Sequence, residues 1–283
     1  MIKVSNLIYT YPKAASATLK GLNFEISEGE IFGFLGPSGA GKSTCQKILY
    51  KVIGQFEGEI EINGKPIQQW SSDYLENIGV GFELPNHYGK LTAKENLELF
   101  AAFYPKHKCS EILPLLEMVG LEQDANKPVD SFSKGMKMRL NFVRAIMHNP
   151  EILFFDEPTA GLDPINAQIL KNHIRALKEQ GKTIFITTHD MATADELCDR
   201  VSFLVDGEIM ITEKPSVLKL EHGKNSVKVE VKGGLVSEFS LDRLGTNTAF
   251  LNFIAKDEVI RIHTQEATLE QVFIDVTGKN LSL

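Results

Sequence analysis

The sequence is poor in the residues that mark secreted or membrane-spanning chains. Its three cysteines, Cys45, Cys109 and Cys198, lie far apart and show no metal-ligand spacing. They cannot form a disulfide framework, and a reducing compartment suits them best. No window of about eighteen residues is uninterruptedly apolar, and no basic segment followed by an apolar one opens the chain. We therefore expect neither secretion nor a membrane span.

Positive charge is also scarce. The 283 residues include 30 Lys and Arg against 37 Asp and Glu, a net charge of −7, with both signs mixed along the chain. Because no basic field is available to hold a phosphate backbone, we expect no nucleic-acid partner. What is present is a 43% hydrophobic composition, enough to build at least one full-sized core.

Apolar patterns predict an α/β fold. Leu22, Phe24 and Ile26 alternate with polar residues, as in a half-buried strand, and Asn63-Gly64 is a typical hairpin turn within Glu59–Ile67. Three continuous apolar runs predict strands of a parallel sheet covered by helices on both faces: Ile31–Leu35, Ile152–Phe155 and Thr183–Thr187. A helical stripe lies between the last two runs and ends near Gly181: Ile169, Leu170, Ile174 and Leu177.

Two further regions are predicted around this core. Residues of about 84–150 form a mainly helical insertion, in which Thr92 and Glu95 are spaced as a capping box. A linker at Glu221–Asn225 separates a first domain, 1–220, from a small C-terminal domain, 221–283. That domain is predicted to contain three strands, Val227–Val231, Phe250–Ile254 and Glu258–His263, and a helix with one apolar stripe, Leu269, Val272, Phe273 and Val276.

A phosphate-binding loop follows the first buried strand. The segment matches G-x-x-x-x-G-K-[ST] and precedes a helix; it consists of Gly36, Pro37, Ser38, Gly39, Ala40, Gly41, Lys42, Ser43 and Thr44. Glycines let backbone N–H groups converge on phosphate oxygens at a helix N-terminus. Lys42 is expected to bridge the β- and γ-phosphates, Ser43 to bind Mg²⁺ and Thr44 to reach the α-phosphate.

Two carboxylates end the second buried strand. Asp156 and Glu157 directly follow Phe155, at the sheet edge where ligands of open α/β sheets bind. Asp156 suits Mg²⁺ coordination, and Glu157 is placed to orient and deprotonate a water molecule. Acidic residues also end strands simply to meet solvent and cap the next helix, so the pair gains its meaning from the phosphate-binding loop upstream and His189 downstream.

With these motifs in order, residues of about 1–220 resemble the ATP-binding cassette (ABC) ATPases. Ser133-Lys134-Gly135-Met136-Lys137 resembles a variant of the LSGGQ signature, Gly161-Leu162-Asp163 the D-loop, and His189 the switch histidine. Tyr11 matches the aromatic residue that stacks on adenine. Tyr11 as an exposed strand-end aromatic and His189 as a buried structural histidine are the alternative interpretations.

The resemblance implies a fold and a site. The fold is a P-loop NTPase cassette with a parallel core sheet, an antiparallel β subdomain and a helical insertion, followed by a small α+β accessory domain. The implied catalytic residues are Glu157, His189 and Lys42. Ser133, Gly135, Met136 and Asp163 would contact ATP held by an opposite subunit, so a second copy of the chain is expected as an ATP-dependent partner. ATP and Mg²⁺ are the expected ligands.

Some residues depart from the family pattern. Glu83 stands where a Gln is usual; an ionised carboxylate can bind Mg²⁺ but cannot donate a hydrogen bond. Lys134 replaces the first Gly of the signature, and Met136 replaces its Gln. Similar signatures occur in bacterial exporters with separate membrane subunits, and Ala267–Phe273 resembles the accessory domain of that branch.

The resemblance therefore predicts the ATP-hydrolysing subunit of an exporter, held on the cytoplasmic face of the membrane by a transmembrane permease whose short helix would enter a groove along Pro85–Lys90. Three alternatives remain open on the residues alone. They are a soluble ABC ATPase outside transport, a regulatory cassette with little hydrolysis, and an importer ATPase. No residue identifies the transported substrate.

Overall fold

The computed structural model describes residues 1–256, 258–265 and 267–279, which divide into two compact units, Met1–Glu213 and the described residues from Lys214 onward. The strands are β1 Ile2–Tyr9, β2 Leu19–Ile26, β3 Ile31–Leu35, β4 Glu57–Ile62, β5 Lys65–Pro66, β6 Ile78–Gly81, β7 Ile152–Asp156, β8 Thr183–Thr188, β9 Arg200–Val205, β10 Glu208–Glu213, β11 Lys224–Val231, β12 Val236–Ser240 and β13 Val259–Gln265. The helices are α1 Lys42–Leu49, α2 Asp73–Asn77, α3 Ala93–Ala101, α4 Ile112–Met118, α5 Lys134–Ile146, α6 Pro164–Glu179, α7 Met191–Leu197, α8 Pro215–His222, α9 Thr248–Lys256 and α10 Leu269–Thr277.

A six-stranded sheet forms the centre of the first unit, in the order β10-β9-β3-β8-β7-β6. The pairs from β9 to β6 are parallel, and only the edge strand β10 runs antiparallel to its neighbour. All three continuous apolar runs are strands of this sheet, and their side chains are almost completely buried. Because parallel strands share a direction, the carboxyl ends of β3, β6, β7 and β8 lie at one edge.

A second, antiparallel sheet, in the order β2-β1-β4-β5, packs on the first. Its alternating apolar residues form the layer between the sheets; Phe24 of β2 meets Phe34 of β3 edge to face, with ring centroids 4.9 Å apart. The predicted hairpin joins β4 to β5, with Asn63 and Gly64 at φ of 52° and 72°. Both positive φ values are those that an Asn-Gly turn adopts most easily.

The predicted helical region contains α3, α4 and α5. Thr92 caps α3 through the predicted capping box: its hydroxyl accepts from Glu95 N, while the Glu95 carboxylate accepts from Thr92 N. Helix α6, between β7 and β8, buries Leu170 and Ile174, whereas Ile169, predicted on the same face, is 37% exposed. The helical stripe is therefore narrower than its sequence pattern indicated.

The unit that begins at Lys214 has its own core, in which Val227, Val229 and Val231 of β11 pack with Phe250 of α9. Its sheet is antiparallel, in the order β12-β11-β13. The stripe of α10 is buried at Leu269, Val272 and Phe273, as the periodicity predicts. The unit begins before α8, not after it.

Two sequence predictions in this unit are wrong. Phe250–Ile254 lies in helix α9, because Asn247 Oδ1 accepts hydrogen bonds from Ala249 N and Phe250 N and so caps a helix. The segment Glu221–Asn225 is no linker: it contains the end of α8 and the start of β11. Here Lys219 O accepts from Ala267 N and ties α8 to the chain before α10. Strand β12 went unpredicted.

No helix in the described ranges has both the length and the apolar character that crossing a bilayer requires.

Candidate active site

At Gly36 and Gly41, the loop between β3 and α1 approaches its neighbours too closely for a side chain. A Cβ on Gly36 would lie 2.1 Å from the Leu204 carbonyl oxygen, and one on Gly41 would lie 2.7 Å from Leu19 Cδ2. Gly41 also has a φ of 108°, which L-residues rarely adopt. The loop thereby delivers the first N–H groups of α1 to a small, concave space, the arrangement that binds phosphate.

Lys42, the first residue of α1, is 7% exposed, and its Nζ donates to the carbonyls of Gly36 (2.6 Å) and Pro37 (3.0 Å). Burial lowers the pKa of the Lys42 ammonium, and the nearby carboxylates of Glu157, Asp156 and Glu83 oppose that shift. The lysine is thus a buried cation held against its own loop, facing three acidic side chains.

The carboxylates at the end of β7 are held by the end of β8. Thr187 Oγ1 donates to Asp156 Oδ1 at 2.5 Å. Glu157 receives three hydrogen bonds: Thr188 Oγ1 donates to its Oε2 (2.8 Å), while His189 N (2.9 Å) and His189 Nδ1 (2.7 Å) reach its Oε1. Because a carboxylate only accepts, Nδ1 carries the proton in this contact. Glu157 is 8% exposed and cannot change direction without losing these partners.

The backbone at Glu157 is itself unusual. Its φ is +49°, in the left-handed region, although the residue is not glycine. Glu157 N donates to the Thr187 carbonyl at 2.8 Å, which fixes the turn beyond β7. Such conformations cost on the order of 1–3 kcal/mol and occur often at functional sites.

Tyr11 lies beside the phosphate-binding loop. Its hydroxyl is 3.2 Å from Thr44 Oγ1, and its ring meets that of Tyr9 edge to face at 4.9 Å. At 37% exposed, the Tyr11 ring keeps an open face next to the pocket. That position suits stacking on a base.

One pocket of about 390 Å³ collects residues from all these elements. Its lining comprises Tyr11, Thr18, Ser38, Gly39, Gly41, Lys42, Ser43, Thr44, Glu83, Asp156, Glu157 and His189. Glu83 arrives from the segment after β6, two residues beyond the strand. Most of the predicted site residues thus share one cavity at the carboxyl edge of the central sheet.

Seven predicted site residues do not line this pocket: Gly36, Pro37 and Ala40 of the phosphate-binding loop, and Ser133, Gly135, Met136 and Asp163 elsewhere in the chain. Ser133 begins α5 and its hydroxyl accepts from Met136 N at 3.2 Å, with Gly135 in the same first turn. Asp163 caps α6: its Oδ1 accepts from Ile165 N and Asn166 N, each at 3.1 Å. The Asn166 side-chain hydrogen bond, foremost, lowers the pKa of Asp163. Within one chain, Ser133 and Asp163 serve as exposed helix caps, whereas Gly135 and Met136 are half-buried residues of the first turn of α5.

Sequence reasoning missed the residues that hold the site together. Gln46 of α1 is 1% exposed, and its Nε2 donates to the carbonyls of Phe155 and Phe185, both at 3.2 Å. It joins α1 to the adjacent strands β7 and β8. A glutamine on the apolar face of a short helix was the available signal. Thr187 was visible only as the last residue of a predicted strand, and Thr188 only as the residue between that strand and His189.

The site combines a glycine loop at a helix N-terminus, a buried lysine and parallel strands followed by acidic residues. This combination defines a nucleoside-triphosphate-binding α/β protein.

Comparisons with known proteins identify the family within this class. The family model described as "ABC transporter" matches residues 19–160. The fluoroquinolones export ATP-binding protein of Mycobacterium tuberculosis is 49% identical over the whole of this chain and 95% of that protein. The bacitracin transport ATP-binding protein of Bacillus licheniformis is 39% identical over 74% of this chain and 68% of that protein.

Solved structures agree. The ATP-binding subunit of an ABC transporter superposes with a TM-score of 0.70 at 29% identity, covering 78% of this chain and 92% of that one. A dimeric ATP-binding cassette in a post-hydrolysis state, bound to ADP and Pi, gives a TM-score of 0.68 at 32% identity and covers 76% and 98%. The chain belongs to the ABC transporter family. It is an ATP-binding subunit with the fold and activity of an ABC ATPase.

Proposed function

We propose that this chain powers an exporter. Two copies, on the cytoplasmic face of a membrane, close around two MgATP and drive a separate transmembrane partner. The observation that carries the proposal is the division of the predicted site. Lys42, Glu157 and His189 share one pocket, whereas the signature segment, Ser133–Met136, is a helix start outside it, with Ser133 exposed. Phosphate-binding groups at a helix N-terminus without a pocket of their own suit a nucleotide supplied by another copy.

The ammonium of Lys42 would exchange the Gly36 and Pro37 carbonyls for β- and γ-phosphate oxygens. These oxygens carry more negative charge, so the exchange strengthens the hydrogen bonds. Tyr11 would stack on the adenine. Ser133 would offer its hydroxyl, and Gly135 its N–H, to the γ-phosphate from the opposite side. Catalysis by this arrangement is positioning and charge stabilisation.

Glu157 would hold the attacking water. Its carboxylate has about four acceptor sites, of which Thr188 and His189 use three. Glu157 lines the pocket, so the remaining acceptor site would take a proton from a water molecule there as the bond to phosphorus forms. His189 Nδ1 donates to Glu157, so a hydrogen bond from its Nε2 to phosphate requires a second proton on the ring.

The pocket also fits a magnesium ion. Ser43 contributes a hydroxyl, and Glu83 and Asp156 contribute carboxylates, to the same lining. Thr187 occupies only one oxygen of Asp156. A small number of oxygen ligands suits Mg²⁺, because this ion binds together with the phosphates of a nucleotide and keeps several of its water molecules. The ion would neutralise charge at the phosphates. Glu83 would offer it a carboxylate oxygen in place of the amide oxygen of the Gln that is usual at this position.

A groove beside the pocket fits the permease. It measures about 680 Å³ and its wall includes Phe82, Leu84, Tyr88 and Phe100. Leu84 is 74% exposed and Tyr88 57%, although both are large and apolar. Exposed apolar side chains around a cavity mark a protein contact. The relatives named for fluoroquinolone export and bacitracin transport favour an exporter as the complex that it joins.

The deciding experiment compares wild type with Glu157→Gln. Glutamine keeps the shape, its oxygen can still accept from His189 and its NH2 group can donate to the Thr188 hydroxyl, but it cannot take a proton. We expect Mg²⁺-dependent phosphate release to fall at least about a hundredfold, while light scattering shows the variant passing from monomer to dimer on addition of ATP and not of ADP. A variant that retains turnover, or that stays monomeric with saturating ATP, would overturn the proposal.

A further inference from the structure

The helix that starts at the signature segment also holds the segment that carries Glu83. Helix α5 spans Lys134–Ile146, and near its middle the buried Asn141 donates from Nδ2 to the Phe82 carbonyl at 2.8 Å. That carbonyl belongs to the peptide bond leading into Glu83. The position of the Glu83 backbone is therefore set by a side chain of α5.

Arg144 adds a second attachment one turn further along α5. Its Nη1 donates to the Asn86 carbonyl at 2.8 Å, and its Nη2 donates to Asn141 Oδ1 at 2.7 Å. The guanidinium lies over two rings, 4.9 Å from the centroid of Phe100 and 5.6 Å from that of Phe82. One planar fork thus orients Asn141 and binds the Glu83 segment at the same time, which a lysine cannot do.

His87, at the far end of the segment Phe82–His87, provides a third attachment to α5. Its Nε2 lies 3.1 Å from the Lys137 carbonyl, so Nε2 carries the proton. Burial, with Arg144 nearby, lowers the pKa of His87 to about 4. Side chains at three positions therefore bind Phe82–His87 to α5.

We propose that Asn141 and Arg144 are positioning residues that link the two nucleotide sites of the dimer. This rests on the proposed function, in which Ser133 contacts the opposite chain's ATP while Glu83 lines the pocket of its own chain. Asn141 lies eight residues after Ser133, roughly 12 Å along the helix axis at 1.5 Å per residue. Since the hydrogen-bonded helix moves as one body, a displacement at Ser133 reaches Glu83 through these two side chains.

A double-mutant cycle tests the link. Ser133→Ala and Glu83→Ala alter its two ends. Both changes are placed in one chain of a heterodimer with an otherwise unaltered chain, so that they fall at different nucleotides and meet only through the link. In the otherwise unaltered protein, we expect their effects on kcat/KM to deviate from multiplicative behaviour by about fivefold or more. With Asn141→Leu or with Arg144→Lys, the two effects should multiply to within about twofold.

Arg139→Lys is the matched control. Arg139 also lies on α5, and its Nη1 also donates to carbonyls, those of Val119 and Gly120, which lie outside the Glu83 segment. The deviation should survive in this variant. ADP binding, measured in every variant, verifies an intact pocket.

The results separate cleanly. Multiplicative effects in the unaltered protein would overturn the link, and so would a deviation that survives both Asn141→Leu and Arg144→Lys. Loss of ADP binding in both of those variants, but not in Arg139→Lys, would show a purely structural role and would also overturn it. Failure of Glu157→Gln to dimerise with ATP would instead remove the proposed function, and this inference with it.

Discussion

The catalytic pocket and the signature segment belong to the same compact unit but differ in how complete they are. In the pocket, Lys42 and Glu157 are 7% and 8% exposed, and each is held by at least two hydrogen bonds. Ser133 is exposed, and within the described residues its hydroxyl accepts a hydrogen bond from Met136 N. The pocket is therefore a complete half-site, with its side chains held in place within one chain. The signature segment is an incomplete half-site, which needs a nucleotide bound by another copy.

The largest expected effect on turnover comes from a substitution in the complete half-site, the pocket. Lys42→Met keeps the length of the side chain but removes its charge, so we expect ATP affinity to fall and turnover to drop about a thousandfold. Stability should not fall with it, because burial already disfavours the Lys42 cation. Fluorescent-nucleotide binding, phosphate release and urea unfolding measure the three quantities.

Lys51→Met is its matched control. Lys51 follows α1 and donates to the Trp70 carbonyl, away from the pocket. The same change of charge there should leave turnover within about twofold. Equal losses in the two variants would show that net charge, rather than the phosphate-binding lysine, sets the rate.

A smaller effect is expected in the exposed half. Ser133→Ala removes a hydroxyl that caps α5 and, in the proposed dimer, binds phosphate. We expect about 1 kcal/mol less unfolding free energy and a turnover about tenfold lower. ADP affinity should stay unchanged, since this half contributes nothing to the pocket of its own chain.

Ser133→Asp separates the two roles. Aspartate caps a helix as well as serine does, so the unfolding free energy should return. Its negative charge would repel a phosphate, so turnover should remain low. Recovery of turnover in Ser133→Asp would contradict a phosphate-binding role.

The smallest expected effect at neutral pH concerns His87, which lies between the two halves and influences stability only in acid. The pKa of His87 is lowered from 6.5 to about 4. Between these values the unfolded chain binds more protons, so the contribution of His87 to stability is lost as pH falls from about 6.5. The loss approaches about 3 kcal/mol near pH 4, at 1.36 kcal/mol per pKa unit.

Unfolding in urea at pH 7 and pH 4.5 measures this loss. His87→Gln can still donate to the Lys137 carbonyl but does not titrate, so its stability should fall less over the same range. The exposed His107→Gln should behave as wild type. Identical pH profiles for wild type and His87→Gln would refute the assignment.

Local patterns predicted the elements well where one physical preference dominates. Continuous apolar runs became parallel strands, Asn63-Gly64 became a hairpin turn, and Thr92 with Glu95 became a capping box. The pattern failed where two preferences compete. Phe250–Ile254 is apolar enough for a strand, yet Asn247 caps it as a helix that packs on β11.

By itself, the sequence determined the phosphate-binding loop, the acidic pair and His189, because each follows a buried strand and parallel strands deliver their ends to one edge. Only the tertiary structure decided what holds them. Gln46 reaches Phe155 and Phe185 across 109 and 139 residues of chain. Asn141 reaches Phe82 across 59. Side-chain hydrogen bonds of such range leave no periodic trace in a sequence, since nothing local requires either partner.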